Sequence, residues 1–406
     1  MPTLPYELNE TIIDILANSD DPKLSSTKAC ALVCHDFHHI CRRHLFSSVA
    51  LCHTGPSEPP PGVTTKATVS KLVKLLRLSP DIGDYIRHLS YSASIKDSTN
   101  PELLRTFQKI SRLEFLSISH GYYPTWTWPG IDSPLRPALL HLLQLPTLIS
   151  LDVYRFTNFY LSDLVICTNL ERFYFKRLDI DDHAIENLPQ RPSQLRKIAI
   201  GDGSTRGIMK ICEARCADGA PFIDFNKITH LLAKTFYHDI EAHRALFSRC
   251  RQLTSVSFSA VGFIRGPRTN FTEFGFFEMV SPSMQTLKSL SVQTDYDHDL
   301  GNIDPFNGLC LQLDKMRHRN IIETISVQIT TRTRFHGTWA EFDAVLTQSG
   351  WPKLQCVSLT LMIHRAHRAE AEELKDEYEN SLQVHFPKLS SGNNPIFKFT
   401  AQLARP

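Results

Sequence analysis

Four places in the 406-residue chain gather side chains capable of chemistry. The first is the run Cys30, Cys34, His35, His38, His39 and Cys41. Thiolates and imidazoles are zinc ligands, but structural sites use two close ligand pairs separated by a long spacer. Cys30, Cys34 and Cys41 instead share the helical stripe of their apolar neighbours, so they read as small core thiols and no metal is expected. The second place, Gly201-Asp202-Gly203-Ser204-Thr205-Arg206-Gly207, lies between a strand pattern and a helix pattern, as a dinucleotide-binding turn does. Its third glycine comes one place late, with Arg206 in that position, so an ordinary turn is expected. Asp295, Asp297, Asp299 and Gly301 begin like a calcium loop, yet Leu300 takes the required glycine position and Phe306 the bidentate-acid position. An exposed acidic loop is the expectation there. His364, His367, Glu370, Glu372 and Glu373 lack the spacing of a zinc-protease helix and, with Lys375 and Glu377, suit the solvated face of a C-terminal helix ending near His385. With no phosphate-binding lysine loop, nucleophile elbow or kinase signature, the sequence points to a non-enzyme that needs no cofactor.

What remains is a chain built to bind. Its 42% hydrophobic and 21% charged residues are those of a folded protein. Lys+Arg of 44 against Asp+Glu of 42 leave a formal charge of +2, so no global field draws it to nucleic acid or anionic lipid. No apolar run approaches the roughly 18 residues of a membrane span, and no secretory signal opens the sequence. The ten scattered cysteines then read as reduced thiols, and the expected location is cytoplasm, nucleus or both.

Residues 54–62, Thr-Gly-Pro-Ser-Glu-Pro-Pro-Pro-Gly, cannot sustain a hydrogen-bonded ladder or helix. They mark 52–68 as a linker between residues 1–51 and 69–406. In the first part, Leu8, Ile12, Ile15 and Leu16 recur at helical spacing, with Pro5 in the first turn and Asp20-Asp21-Pro22 as the stop. Ser25, Ser26 and Thr27 offer caps for a second helix carrying Ala29, Leu32, Val33 and Phe37. After a break near Asp36, Ile40, Leu45, Phe46 and Val49 continue the apolar series in a third. A bundle this small buries little surface, so part of its apolar stripe is expected to face a partner.

The segments Leu4-Pro5-x-Glu7-Leu8, Ile12-Ile13-Asp14-Ile15-Leu16, Ala31-Leu32-Val33-Cys34-x-x-Phe37 and Leu45-Phe46-Ser47-Ser48-Val49 together resemble the F-box, with Phe37 where many members carry tryptophan. The resemblance implies that Leu4, Pro5, Leu8, Ile12, Leu16, Leu32, Val33 and Phe37 contact a Skp-family adaptor and, through it, a cullin.

Beyond the linker, Val69, Leu72, Val73, Leu75 and Leu76 predict a helix ended by Ser79-Pro80-Asp81. A pattern apolar-x-x-apolar-x-apolar then recurs at Ile86/Leu89/Tyr91, Leu113/Leu116/Ile118, Leu148/Leu151/Val153, Leu170/Phe173/Phe175 and Leu195/Ile198/Ile200. It continues at Ile228/Leu231/Ala233, Leu253/Val256/Phe258, Leu287/Leu290/Val292, Ile322/Ile325/Val327 and Leu354/Val357/Leu359. Central residues lie 22 to 35 apart, with helical segments expected at 101–110, 135–145, 206–216, 238–249, 307–319 and 339–348. One strand and one return per repeat is the unit of a leucine-rich-repeat solenoid. The repeat's asparagine position holds Ser94, Gly121, Phe156, Leu178 and other unlike residues, so the array is expected to be irregular.

The fold class expected is therefore α/β: a small all-α three-helix unit followed by an irregular leucine-rich-repeat-like solenoid with a C-terminal helix. F-box plus such repeats resembles the large fungal class of F-box proteins. That resemblance implies a substrate receptor of a cullin ubiquitin ligase, or alternatively a repeat scaffold that binds a protein without promoting its turnover. Strand residues alternating with the anchors are expected on the opposite face, among them Ser117, Ser119, Asp152, Tyr154, Ser255, Ser257, Ser289, Ser291, Ser326 and Gln328. Arg172, Tyr174, Lys176 and Lys197, beside Tyr154, are expected to form one cationic patch suited to an acidic or phosphorylated target segment.

Overall fold

Apolar anchors spaced three and then two residues apart place one residue before a strand and two on its inner face, and every anchor of the ten repeats is buried. The computed structural model describes residues 5–18, 24–52, 65–120, 126–128, 133, 135–181, 195–235, 239–260, 270–296, 306, 308–331, 339–364, 368–392 and 395–404. These form a mixed α/β protein of parallel sheet and helices, divided into two compact units, Met1–Gln194 with Ala214–Phe222 and Leu195–Glu213 with Ile223–Pro406.

The first unit runs α1 (Tyr6–Ala17), α2 (Ser25–Cys30), α3 (His35–Leu45), β1 (Ser48–Leu51), β2 (Thr65–Ala67), α4 (Val69–Leu78), β3 (His88–Ala93), α5 (Glu102–Phe107), β4 (Phe115–His120), β5 (Trp126–Thr127), α6 (Leu135–Leu143), β6 (Ser150–Tyr154), β7 (Phe156–Thr157), α7 (Ser162–Val165) and β8 (Arg172–Lys176). Its main sheet is parallel in the order β2-β1-β3-β4-β6-β8, and β5 pairs separately with β7. The register stacks like on like: Val49, Leu89, Leu116, Leu151 and Phe173 form one inner column, and Leu51, Tyr91, Ile118, Val153 and Phe175 the next. In-register apolar columns bury both strand neighbours at once, which fixes the pairing.

The second unit runs β9 (Lys197–Ile200), α8 (Thr205–Glu213), β10 (His230–Thr235), α9 (Ile240–Arg249), β11 (Ser255–Ala260), α10 (Phe271–Phe274), α11 (Phe276–Val280), β12 (Ser289–Tyr296), α12 (Leu309–Met316), β13 (Thr324–Thr331), α13 (Trp339–Thr347), β14 (Cys356–Ile363), α14 (Arg368–Asn380), α15 (Leu382–His385), α16 (Pro387–Ser391) and β15 (Ile396–Leu403). Strands β9 to β15 pair in sequence order, all parallel, with Ile198, Leu231, Val256, Leu290, Ile325, Val357 and Phe397 in one column. Phe258 is ringed by Phe271, Phe274 and Phe276, and Phe306 stacks on Phe342 at 4.5 Å.

All six helical segments expected between repeats form, within a few residues. Several expectations are corrected. The second helix stops at Cys30, so Leu32 and Val33 lie in a turn and Phe37 belongs to α3. Its cap is Leu24, in the left-handed conformation, and Ser25, Ser26 and Thr27 lie inside the helix. Pro5 stands at the cap of α1, just before its first turn. Val49 does not continue α3: Ser48–Leu51 is a strand buried along its whole length, paired with β2 and β3. The expected linker 52–68 thus contains the whole of strand β2, its residues 53–64 lying outside the described ones, and 1–51 shares a sheet with β2 and β3. The C-terminal helix is three short helices, and strand β15 comes after them.

Candidate functional site

Two surfaces of the first unit carry side chains that the fold leaves in solvent. On α1 to α3, Ile13, Ala31, Ile40 and Cys41 form a small core, with Cys30, Phe37 and Leu45 packed against it. Arg43 of α3 bonds both Glu10 and Asp14 of α1, and His44 Nε2 lies 2.8 Å from Asp14 Oδ1. Burial tends to raise the Asp14 carboxyl, but bonds from Arg43 and His44 hold it below the ordinary carboxylate range. These polar ties join the first and third helices without using the apolar stripe.

The stripe remains outside. Leu8, Ile12 and Ile15, spaced four and three apart on one face of α1, are 50%, 43% and 66% exposed. Leu32 and Val33 are 88% and 68% exposed in the turn after α2. Isolated exposed leucines are ordinary, whereas these five large apolar side chains stand on three helices whose shared core is small. Leu16 is half-buried, and Phe37 belongs partly to the core. Leu4 lies outside the described residues. Cys34, expected among the core thiols, is exposed at the start of α3, whereas Cys41 is buried and its thiol pushed up to about 11 by that burial. Among the described residues no three His, Cys, Asp or Glu side chains converge as metal ligands.

The second surface is the open face of the first unit's sheet. Alternation holds: Ser90, Ser117, Asp152 and Tyr174 are register partners in one row, and Ser92, Ser119, Tyr154 and Lys176 in the next. The Tyr154 hydroxyl donates to Asp152 Oδ2 at 3.0 Å, and the Tyr154 and Tyr174 rings meet edge to face at 5.0 Å. Burial raises the Asp152 carboxyl to about 6, against the bond from Tyr154 and the through-space pull of Arg172. Tyr154 is raised chiefly by burial and then by that carboxylate. Arg172 is exposed, and Tyr154, Tyr174 and Lys176 are half-buried.

The structure brings Tyr154, Arg172, Tyr174 and Lys176 together and adds a carboxylate among them, so the patch is of mixed charge. Lys197 belongs to the second unit, where it is exposed on β9 beside His230 of β10. Asp152 was visible in the sequence as a face residue. Its bond comes from Tyr154 of its own strand, while Ser117 and Tyr174 flank it from the neighbouring strands.

The other chemical motifs resolve into structure. Gly201–Ser204 form the bend before α8, where the Asp239 carboxylate accepts from the Gly203 N–H at 3.4 Å and bonds the Thr205 hydroxyl. The protein's own acid therefore fills the position an anion would take. Asp295 is in β12, and Asp297, Asp299 and Gly301 lie outside the described residues, as does His367. Lys375 pairs with Glu379 at 3.5 Å on α14. No described helix is long and apolar enough to cross a membrane. No family model matches the chain, and no curated protein matches it.

Proposed function

We propose that this chain is a substrate-recognition adaptor of a Skp/cullin/F-box ubiquitin ligase, docking a Skp-family adaptor through α1–α3 and a protein target through its sheet. On this reading the helices are an F-box, and the parallel strands with their helical returns are irregular leucine-rich-repeat turns. The observation that carries the proposal is the exposure of Leu8, Ile12, Ile15, Leu32 and Val33 on three helices whose own core is only a few side chains. Burying several such side chains at about 1.5–3 kcal/mol each is the gross driving force of a specific contact. The role is one of proximity: the chain holds a target while other subunits perform the transfer.

The test is co-purification of the full chain with a Skp-family adaptor and a cullin. Deleting residues 1–51 is a poor control, because β1 belongs to the sheet. Point variants are better, pairing Leu4→Ala with Pro5→Ala and Leu32→Asp with Val33→Asp. Adaptor capture at the wild-type level by both pairs rejects the docking assignment. Capture that leaves the half-life of the bound target unchanged assigns the scaffold role instead.

A further inference from the structure

Among the described residues, Asp152 is the one carboxylate in the two central rows of the first unit's open face, and its setting is unusual for an acid. Serine hydroxyls precede it in its row, at Ser90 and Ser117, and the Tyr174 side chain comes after it. Among the described residues, the Tyr154 hydroxyl is the side-chain donor it has, and Arg172 acts on it through space without forming an ion pair. A half-buried carboxylate held by one neutral donor is an incomplete interaction, since partial desolvation weakens it and no cation restores the balance.

We propose that this row is a receiving site for the guanidinium of an arginine in an extended segment of a partner protein. The proposal rests on the receptor function proposed for the chain and names the class of target it takes. Arginine fits better than lysine, because a planar fork of five donors can use the Asp152 oxygens together with the neighbouring serine hydroxyls along a flat row. The Tyr154–Tyr174 pair beside the carboxylate presents ring surface against which a guanidinium plane can lie. A free divalent cation is disfavoured, because calcium takes six to eight oxygen ligands and a single carboxylate anchors this row. A phosphate is disfavoured too, because it would be placed against the Asp152 charge. Arg172 and Lys176 stand at the margins, where they favour acidic residues flanking the partner's arginine.

The experiment is selection of random linear peptides displayed on phage against the purified full chain and against Asp152→Asn, followed by affinity measurement on the selected peptides. Wild-type protein should enrich arginine at one fixed position, with acidic residues beside it. Asp152→Asn, nearly the same shape, should erase that arginine preference and weaken the best peptide about tenfold or more. Tyr174→Ala should weaken it by a smaller factor while keeping the preference. A single cooperative melting transition in each variant establishes that the fold is intact. Enrichment of acidic peptides without a basic residue overturns the proposal, as does lysine in arginine's place or indifference to Asp152→Asn. Adaptor capture by the same preparations is scored separately, so loss of the ligase reading and loss of the arginine site give different results.

Discussion

The indole N–H of Trp128 donates to Asp163 Oδ2 at 2.8 Å, and Arg136 bonds the other carboxylate oxygen at 2.6 Å. Trp128 comes directly after β5, whose pairing with β7 continues in a bond from the Trp128 N–H to the Thr157 carbonyl. Asp163 is buried, and that burial pushes its carboxyl up against the opposing bonds from Trp128 and Arg136. Arg136 also lies over the Tyr160 ring at 4.6 Å. Removing the acid takes away the carboxylate that a guanidinium and an indole donor share in the interior. Asp163→Ala should therefore cost about 3–5 kcal/mol in urea unfolding, and adding Arg136→Met should recover part of it. A loss below about 1 kcal/mol for Asp163→Ala would mean that the pair is open to water.

Asp152 should weaken the fold at neutral pH. Its carboxyl titrates near 3.8 when the chain is unfolded and about 6 when folded, so the folded state holds the proton more tightly. Above pH 6 the full penalty applies, it shrinks as pH falls through 6, and below 3.8 it is gone. Asp152→Asn should raise stability at pH 7.5 by about 1–3 kcal/mol, with the gain vanishing near pH 4. Equal stability of the two proteins at pH 7.5 contradicts this account.

His243 should act in the opposite direction. It is buried on α9, and desolvation lowers its imidazole to about 4, partly offset by Asp239. The folded state keeps it neutral while the unfolded chain takes a proton below about 6.5. Stability is thus fully present above pH 6.5 and falls as pH drops toward 4, by up to about 3 kcal/mol. His243→Phe should flatten the dependence of the urea midpoint between pH 7 and 4.5. An identical slope in wild type and variant would remove His243 as its source.

The N-terminal helices offer a sharper contrast between a core residue and a surface one. Ile13 is fully buried, and Ile13→Ala should cost about 2–5 kcal/mol for the unit that contains it. Leu32 is 88% exposed, and Leu32→Ala should change stability by less than about 0.5 kcal/mol while reducing Skp-adaptor capture. Pull-down and thermal melting of the two variants together check this. Adaptor binding lost through Ile13→Ala but kept through Leu32→Ala would mean that the surface is elsewhere.

The repeats were legible because their signal is local. Inner and outer positions alternate along each strand, and a residue such as Leu116 or Val256 needs only its own strand to be sent inward. The same signal is present in Phe397, Phe399, Ala401 and Leu403, the alternating residues of β15, so that strand is written in the sequence after the helices. Ser48–Leu51 is different. It is buried at every position, so it shows no alternation and continues the apolar series of α3 without a break.

The sequence by itself determined which residues face the core, where the helical returns fall and which side chains stand on the open strand face, because burial follows local periodicity. Tertiary structure alone decided which of those open residues become neighbours. The path of β6 put the Tyr154 hydroxyl on Asp152 of the same strand, and cross-strand register put Tyr174 of β8 beside that carboxylate. Helix packing likewise buried Ile13 and left Ile12 exposed. Such choices depend on distances across strands and between helices, and those distances exist only once the chain has folded.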